Sequence, residues 1–338
     1  MFRKSCLTLM IAFFGLAVTP ALANTVLTVG TGGQYSTISS AVAAADADAN
    51  PNNYYVIQVR PGTYQNDFPH VTRPMTIMLD PAYTGRQVIL KATVDLPNEK
   101  GIILNEADLT VVGLTFYGAH IANSLGGNGA GIRDQNTGNP ASLIVRNSTF
   151  VGNQEAILTG PNSGQTITIN NSRFINNGNP DENYWQHAIY IGAAGSLTVG
   201  NSVFCGQLIG HDVKSRAMVT SLYNNQLYDG ATHNALGCKV GSSSYAIDLP
   251  NGGVATISGN DIVQGSATQN STMVAYGEEG LPYSTNSVDA SGNSFTSSGP
   301  SGAIGINDPN CVGVEVTADN TFAGVATPVL PPQCAVFQ

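Results

Sequence analysis

A short turn signature recurs along this 338-residue chain and limits what it can fold into. It is read as Asn147-Ser-Thr-Phe150, Asn171-Ser-Arg-Phe174, Asn201-Ser-Val-Phe204, Asn225-Gln-Leu227, Asn260-Asp-Ile262, Asn293-Ser-Phe295 and Asn320-Thr-Phe322, with Gly113-Leu-Thr-Phe116 as an earlier, degenerate copy. The spacings from Asn147 onward are 24 to 35 residues, as expected of a 24-residue coil with loops inserted on one side. One coil of that size cannot bury its own apolar residues, so it must stack on its neighbours at about 4.8 Å per strand. Asn at the same turn of successive coils can then form a hydrogen-bonded ladder. A following apolar side chain points inward and stacks in a column. The Leu-x-x-Leu-x-Leu pattern of leucine-rich repeats is absent. A propeller blade would need four strands from each repeat. The expected fold is all-β, a single-stranded right-handed parallel β-helix.

The N-terminal end fits such a solenoid. Ser36 to Asp48, with Ile38, Ala41, Val42 and Ala45 on one face, predicts an amphipathic helix that caps the exposed first coil. Tyr55 to Val59 and Met75 to Leu79 read as early strands, with Pro61-Gly62 as the turn between them. The stretch from Gly30 to Tyr64 resembles the opening of pectinesterases and other members of the pectin-lyase-like β-helix superfamily. That resemblance implies one β-helix domain over residues 24–338.

Residues 1–23 read as a signal peptide. Arg3 and Lys4 precede an apolar run from Leu7 to Val18, and Ala21-Leu22-Ala23 gives the small-x-small cleavage pattern. The run is short for a bilayer span, and no later segment reads as transmembrane. The expected location is therefore periplasmic or extracellular. Without the leader the net charge is 11 − 22 = −11, which repels phosphate backbones and argues against nucleic acid as a partner. Cys205, Cys238, Cys311 and Cys334 remain, an even set suited to disulfides in an oxidising compartment. Sequence order suggests Cys205–Cys238 and Cys311–Cys334, one of three possible connectivities. No C-x-x-C pair supports zinc. A capped solenoid of this kind is expected to be a monomer.

Only six Lys or Arg occur beyond residue 100, namely Arg133, Arg146, Arg173, Lys214, Arg216 and Lys239. Two of them fall within Gly210-His211-Asp-Val-Lys214-Ser-Arg216. A local positive cluster in an acidic chain suits an anionic polysaccharide. Strand starts align as His187-Ala-Ile-Tyr190, His211-Asp-Val-Lys214, Tyr245-Ala-Ile-Asp248 and Met273-Val-Ala-Tyr276. Ile189, Val213 and Ile247 then face the core, and Tyr190, Lys214 and Asp248 line up on the outer face. His187, His211 and Tyr245 form a column at the strand edge. Strict alternation turns these three inward, whereas a bend at the strand start exposes them. The preceding loop carries Tyr184 and Trp185, and the tryptophan can stack on a sugar ring. Asn251, in a Pro-Gly turn, and Glu278, beside Glu279, complete the expected binding set.

The chemistry read from this cluster is β-elimination at a uronate. It requires neutralisation of the carboxylate, a base for the C5 proton and an acid for the leaving oxygen. Lys214 beside Arg216 is the expected base, Arg216 the carboxylate partner, and His211, His187 or Tyr190 the proton donor. Lys214-Ser215 resembles the lysine-serine motif of alginate lyases and chondroitinase B. Those enzymes place acidic calcium ligands before the lysine and an arginine on the next coil. Here Ile209, Gly210 and His211 precede it and Asp248 is aligned on the next coil, so a calcium cofactor is left open. Pectinesterases carry a Gly-Arg-Pro-Trp motif absent here, and of the polygalacturonase motifs only Gly210-His211 has a counterpart. A glycoside hydrolase using Asp212, Asp248 or Glu278, a C5-epimerase, and a non-catalytic carbohydrate-binding or cell-surface scaffold are the alternatives.

Overall fold

The computed structural model describes residues 24–181 and 185–337. The expected signal peptide and Tyr184 therefore lie outside the described residues. Strands assemble into three parallel sheets of twelve, ten and ten strands. Within each sheet most hydrogen-bonded neighbours are one full coil apart in sequence. Leu109–Val112, Ala141–Arg146, Asn162–Asn170 and Ala194–Gly200 are successive strands of the twelve-stranded sheet, for example. Each coil between the two ends thus gives one strand to each sheet. The chain is a right-handed parallel β-helix, the hand that parallel crossovers take.

Alternation along each short strand sends one set of side chains into the bore. Ala141–Arg146 and Met75–Leu79 bury every second residue at their starts. In one ten-stranded sheet the register places Phe116, Phe150, Phe174, Phe204, Leu227, Ile262, Phe295 and Phe322 one above another. The rings of Phe116, Phe150, Phe174 and Phe204 stack at 4.8, 5.1 and 4.5 Å with planes within 7°. Isolated aromatic pairs prefer offset or edge-on contacts. Here the strand spacing fixes the Cβ positions and overrides that preference.

The turn ladder differs from expectation by one residue. Asn147, Asn171, Asn201 and Asn224 hold the left-handed turn position, with φ between 49° and 53°. Asn225, Asn260, Asn293 and Asn320 belong to the next column, which begins with Ser148, Ser172 and Ser202. In that column the Ser202 backbone N–H donates to Asn225 Oδ1 at 3.0 Å, and Asn225, Asn260 and Asn293 N–H groups donate to the next Asn at 2.9 Å. The inward apolar residue sets the register: Leu227 pairs with Phe204, which leaves Asn225 beside Ser202. The ladder satisfies backbone donors that the turns would otherwise bury unpaired.

The capping helix runs Ile38–Asp46, shorter than the predicted 36–48. Thr37 caps it by accepting from Ser40 N–H, and Ile38, Ala41, Val42 and Ala45 are buried as expected. Tyr54–Val59 and Met75–Leu79 are neighbours in one sheet rather than a turn-linked pair. Pro61-Gly62 instead leads into Gly62–Gln65 of a different sheet, because a whole coil intervenes. Cys205–Cys238 and Cys311–Cys334 are both disulfide-bonded, as is usual in an oxidising compartment. Among the described residues no helix is long and apolar enough to cross a membrane.

Candidate functional site

The site stands on the ten-stranded sheet that contains Ile189–Ile191, His211–Ser215, Tyr245–Leu249 and Thr272–Tyr276. Ile189, Val213 and Ile247 share a register column and are fully buried, as the alternation predicts. Tyr190, Lys214 and Asp248 form the adjacent column. The fourth strand departs from the predicted alignment by one residue. Val274 pairs with Ile247, so Ala275 lies beside Asp248 and Tyr276 beside Leu249. Tyr276 is fully buried, its hydroxyl donating to the Gly253 carbonyl, and it takes no part in the cleft.

The strand-edge column is a stack of rings. His187 and His211 lie 4.7 Å apart, and His211 and Tyr245 5.0 Å, each pair within 18° of parallel. The Trp185 indole is 6.4 Å from His211 and 59% exposed. Nδ1 of His187 accepts from the His211 backbone N–H at 3.1 Å, and the His187 N–H donates to Glu155 Oε2 at 2.9 Å. His187 therefore carries any single ring proton on Nε2. Burial, with His211, Lys214 and Arg216 nearby, holds His187 well below its ordinary value. Burial and the Lys214 charge push His211 down to about 3. Both imidazoles are neutral at neutral pH.

Beside the stack, Lys214 Nζ donates to Asp248 Oδ2 at 2.7 Å and reaches Glu279 Oε1 at 3.5 Å. Arg216 meets Glu279 Oε2 at 2.7 Å through Nη2, Asn251 Oδ1 at 2.7 Å through Nη1, and the Tyr190 hydroxyl oxygen at 3.0 Å through Nε. Tyr283 donates to the Arg216 carbonyl and so fixes the turn that carries this guanidinium. The predicted positive cluster is thus compensated. Asp248 and Glu279 arrive from later coils, where one-dimensional charge counting does not see them. Burial raises the Asp248 carboxyl, with Lys214 opposing. Burial alone would raise Glu279 too, but the Arg216 hydrogen bond and the two cations hold it below the usual carboxylate value. Glu278 accepts from Tyr245 and Asn307, both at 3.1 Å. Ser215 does not join the cleft: it is buried, and its hydroxyl bonds Thr220 at 2.8 Å.

These groups line a cleft of about 360 Å³ that includes Trp185, His187, His211, Lys214, Tyr245 and Asp248. A second cleft of about 490 Å³ lies against it, sharing Trp185 and containing Tyr190, Arg216, Arg133 and Glu155. No motif marks Arg133 or Glu155; their outward or edge positions three and two coils before Lys214 follow only from the register. Asp212 is fully buried and is absent from the lining of the Lys214 cleft; burial, with the Asp229 charge, raises its carboxyl well above the ordinary value. Among the described residues no group of three or more His, Cys, Asp or Glu is arranged to hold a metal.

No family model matches the chain, and no curated protein matches it. Among solved structures it is similar to the pectin methylesterase from Aspergillus niger in deglycosylated form, with 12% identity, coverage of 92% of this chain and 82% of that one, and a TM-score of 0.35.

Proposed function

We propose that the protein is an exported polysaccharide lyase that cleaves a uronic-acid-containing polysaccharide by β-elimination. The observation that supports this reading is the convergence of Lys214, Arg216, two neutral imidazoles and the Tyr190 hydroxyl on adjoining clefts beneath an exposed indole. Glu279 bridges Lys214 and Arg216 with one oxygen on each. A uronate carboxylate has the same charge and the same two-oxygen fork, so it would take that position once the half-exposed Glu279 side chain swings away. Docked there, the carboxylate is neutralised and the C5 proton becomes more acidic.

Lys214 is assigned to carboxylate binding rather than to the base role expected from Arg216 alone. It donates to one carboxylate and reaches another, which are contacts of an ammonium. The base is His211, whose Nδ1 lies 3.3 Å from Asp248 Oδ2, a carboxylate placed to stabilise the ring once substrate binding displaces Glu279 and the ring takes a proton. His211 takes the C5 proton and the electron pair forms the C4–C5 double bond. The C4–O bond breaks, and the leaving oxygen takes the proton of Tyr190. Arg216 Nε, already on the Tyr190 oxygen, stabilises the phenolate until His211 releases the C5 proton to solvent and solvent returns one to Tyr190. Trp185 would stack on a sugar ring, and Asn251, Tyr245 and Glu278 would bind its hydroxyls.

The pairing of both cations with carboxylates also suits a second reading, a binding scaffold without turnover. The two are separated by incubating the protein with alginate, pectate and glucuronan and following the ultraviolet absorbance of the unsaturated uronate. A rise that Lys214→Ala abolishes supports elimination. Reducing ends without that absorbance indicate hydrolysis, and binding with neither indicates the scaffold.

A further inference from the structure

The strand Ala130–Asp134 carries Arg133 at an outward position of the same sheet. Its Nε is sealed from solvent and has no hydrogen-bond partner, although the Glu155 charge lies close enough to favour the guanidinium's charged form. Such a group is costly to keep unless something occupies the space in front of it. That space is the cleft of about 490 Å³, whose lining also includes Arg216, Tyr190 and Trp185. Glu155 is the carboxyl in the same lining; burial raises it well above its ordinary value, opposed by the His187 backbone hydrogen bond and by the charges of Arg133 and Lys214. Along the sheet Arg133 is followed in register by Leu158, Tyr190 and Lys214. Three coil steps separate Arg133 from Lys214, about 14 Å along the helix axis.

We propose that Arg133 is the anion-binding residue of a second sugar subsite, and that its occupant is a uronate carboxylate on the same chain that fills the Lys214 cleft. This deepens the lyase reading and rests on its choice of a polyuronate. A polymer lying along the helix axis would pass from the Arg133 cleft, under Trp185, into the Lys214 cleft. The protein then recognises internal stretches of the chain, because a dimer is too short to engage both cations.

Trp185 is the chain's only tryptophan and lines both clefts, so its fluorescence reports occupancy of either. The probes are oligogalacturonates, oligoguluronates and oligomannuronates, each as dimer and octamer, with carboxyl-reduced octamers as neutral controls. Arg133→Gln is expected to weaken octamer binding about tenfold, the value of one charged hydrogen-bonded contact, while leaving the dimer and the neutral octamer unchanged. Arg133→Lys should recover part of the loss. Equal octamer affinity in wild type and Arg133→Gln overturns the proposal, as does an equal loss for the neutral octamer. Circular dichroism of both variants checks the fold. If the Arg133 effect is present but no unsaturated product forms, the subsite stands and the lyase reading falls. If no series binds wild type, both fall.

Discussion

Lys214 Nζ and Asp248 Oδ2 lie 2.7 Å apart across a single coil step, although 34 residues separate them in sequence. The same oxygen is 3.3 Å from His211 Nδ1, without the alignment of a hydrogen bond. One buried carboxylate therefore positions both the cation and the proposed base. Its removal leaves Lys214 partly buried and uncompensated. Asp248→Asn is expected to destabilise the fold by about 3 kcal/mol, read as a lower denaturation midpoint at neutral pH. An unchanged midpoint would mean that the pair contributes nothing to the native state.

Glu279 behaves as an internal competitor for the substrate carboxylate. Because its side chain is half exposed, its ion pairs add little to stability. Glu279→Gln should bind uronate oligomers several-fold more tightly, with the thermal midpoint within a degree or so of wild type. Weaker binding in this variant would show that Glu279 supports the site instead of occupying it.

Tyr190 is assigned a chemical step. Tyr190→Phe removes the hydroxyl that meets Arg216 but keeps the ring beside His187. Turnover should fall at least about 100-fold while oligomer affinity changes little. A parallel fall in affinity would make Tyr190 a binding residue.

The histidine stack gives a pH signature. His211 folds with its value lowered to about 3, and His187 is lowered as well. Their contribution to stability is therefore present above the ordinary histidine value and is lost as pH falls from there toward about 3. Asp229, raised by burial to about 6, acts in the opposite sense and loses stability as pH rises toward that value. Thermal midpoints of wild type and His211→Gln across this range separate the two. The variant should lose less stability on acidification; identical slopes would remove His211 from the account.

The phenylalanine column carries much of the fold's stability. Phe174 is stacked on both sides and fully buried. Phe174→Ala is expected to cost about 4 kcal/mol in chemical denaturation, and a cost under about 1 kcal/mol would indicate that the column collapses to fill the gap.

The solenoid was legible in the sequence because every coil repeats the same inward residue, and Phe150, Phe174 and Phe204 announce it. The turn column was misplaced at Asn225 because the asparagine and the serine of Asn201-Ser202 occupy adjacent ladder positions, and the eye follows asparagine. The strand after Tyr245–Leu249 slipped by one because Tyr276 resembles an outward aromatic, whereas its hydroxyl finds a buried carbonyl. Lys214, His211 and Asp248 could be found by aligning coils. Glu279 and Arg133 could not be given roles that way: one comes from a loop 65 residues away from Lys214, and the other stands three coil steps off with no motif around it.

Elimination at the Lys214 cleft is put to the test by incubating wild type, Arg216→Gln and His211→Gln with the uronate polymer that binds most tightly, recording the absorbance of the unsaturated uronate and the reducing ends together. Wild type should yield both in equal numbers, and each variant at least about 100-fold less. Reducing ends that accumulate without the chromophore, or an undiminished rate in both variants, would contradict it.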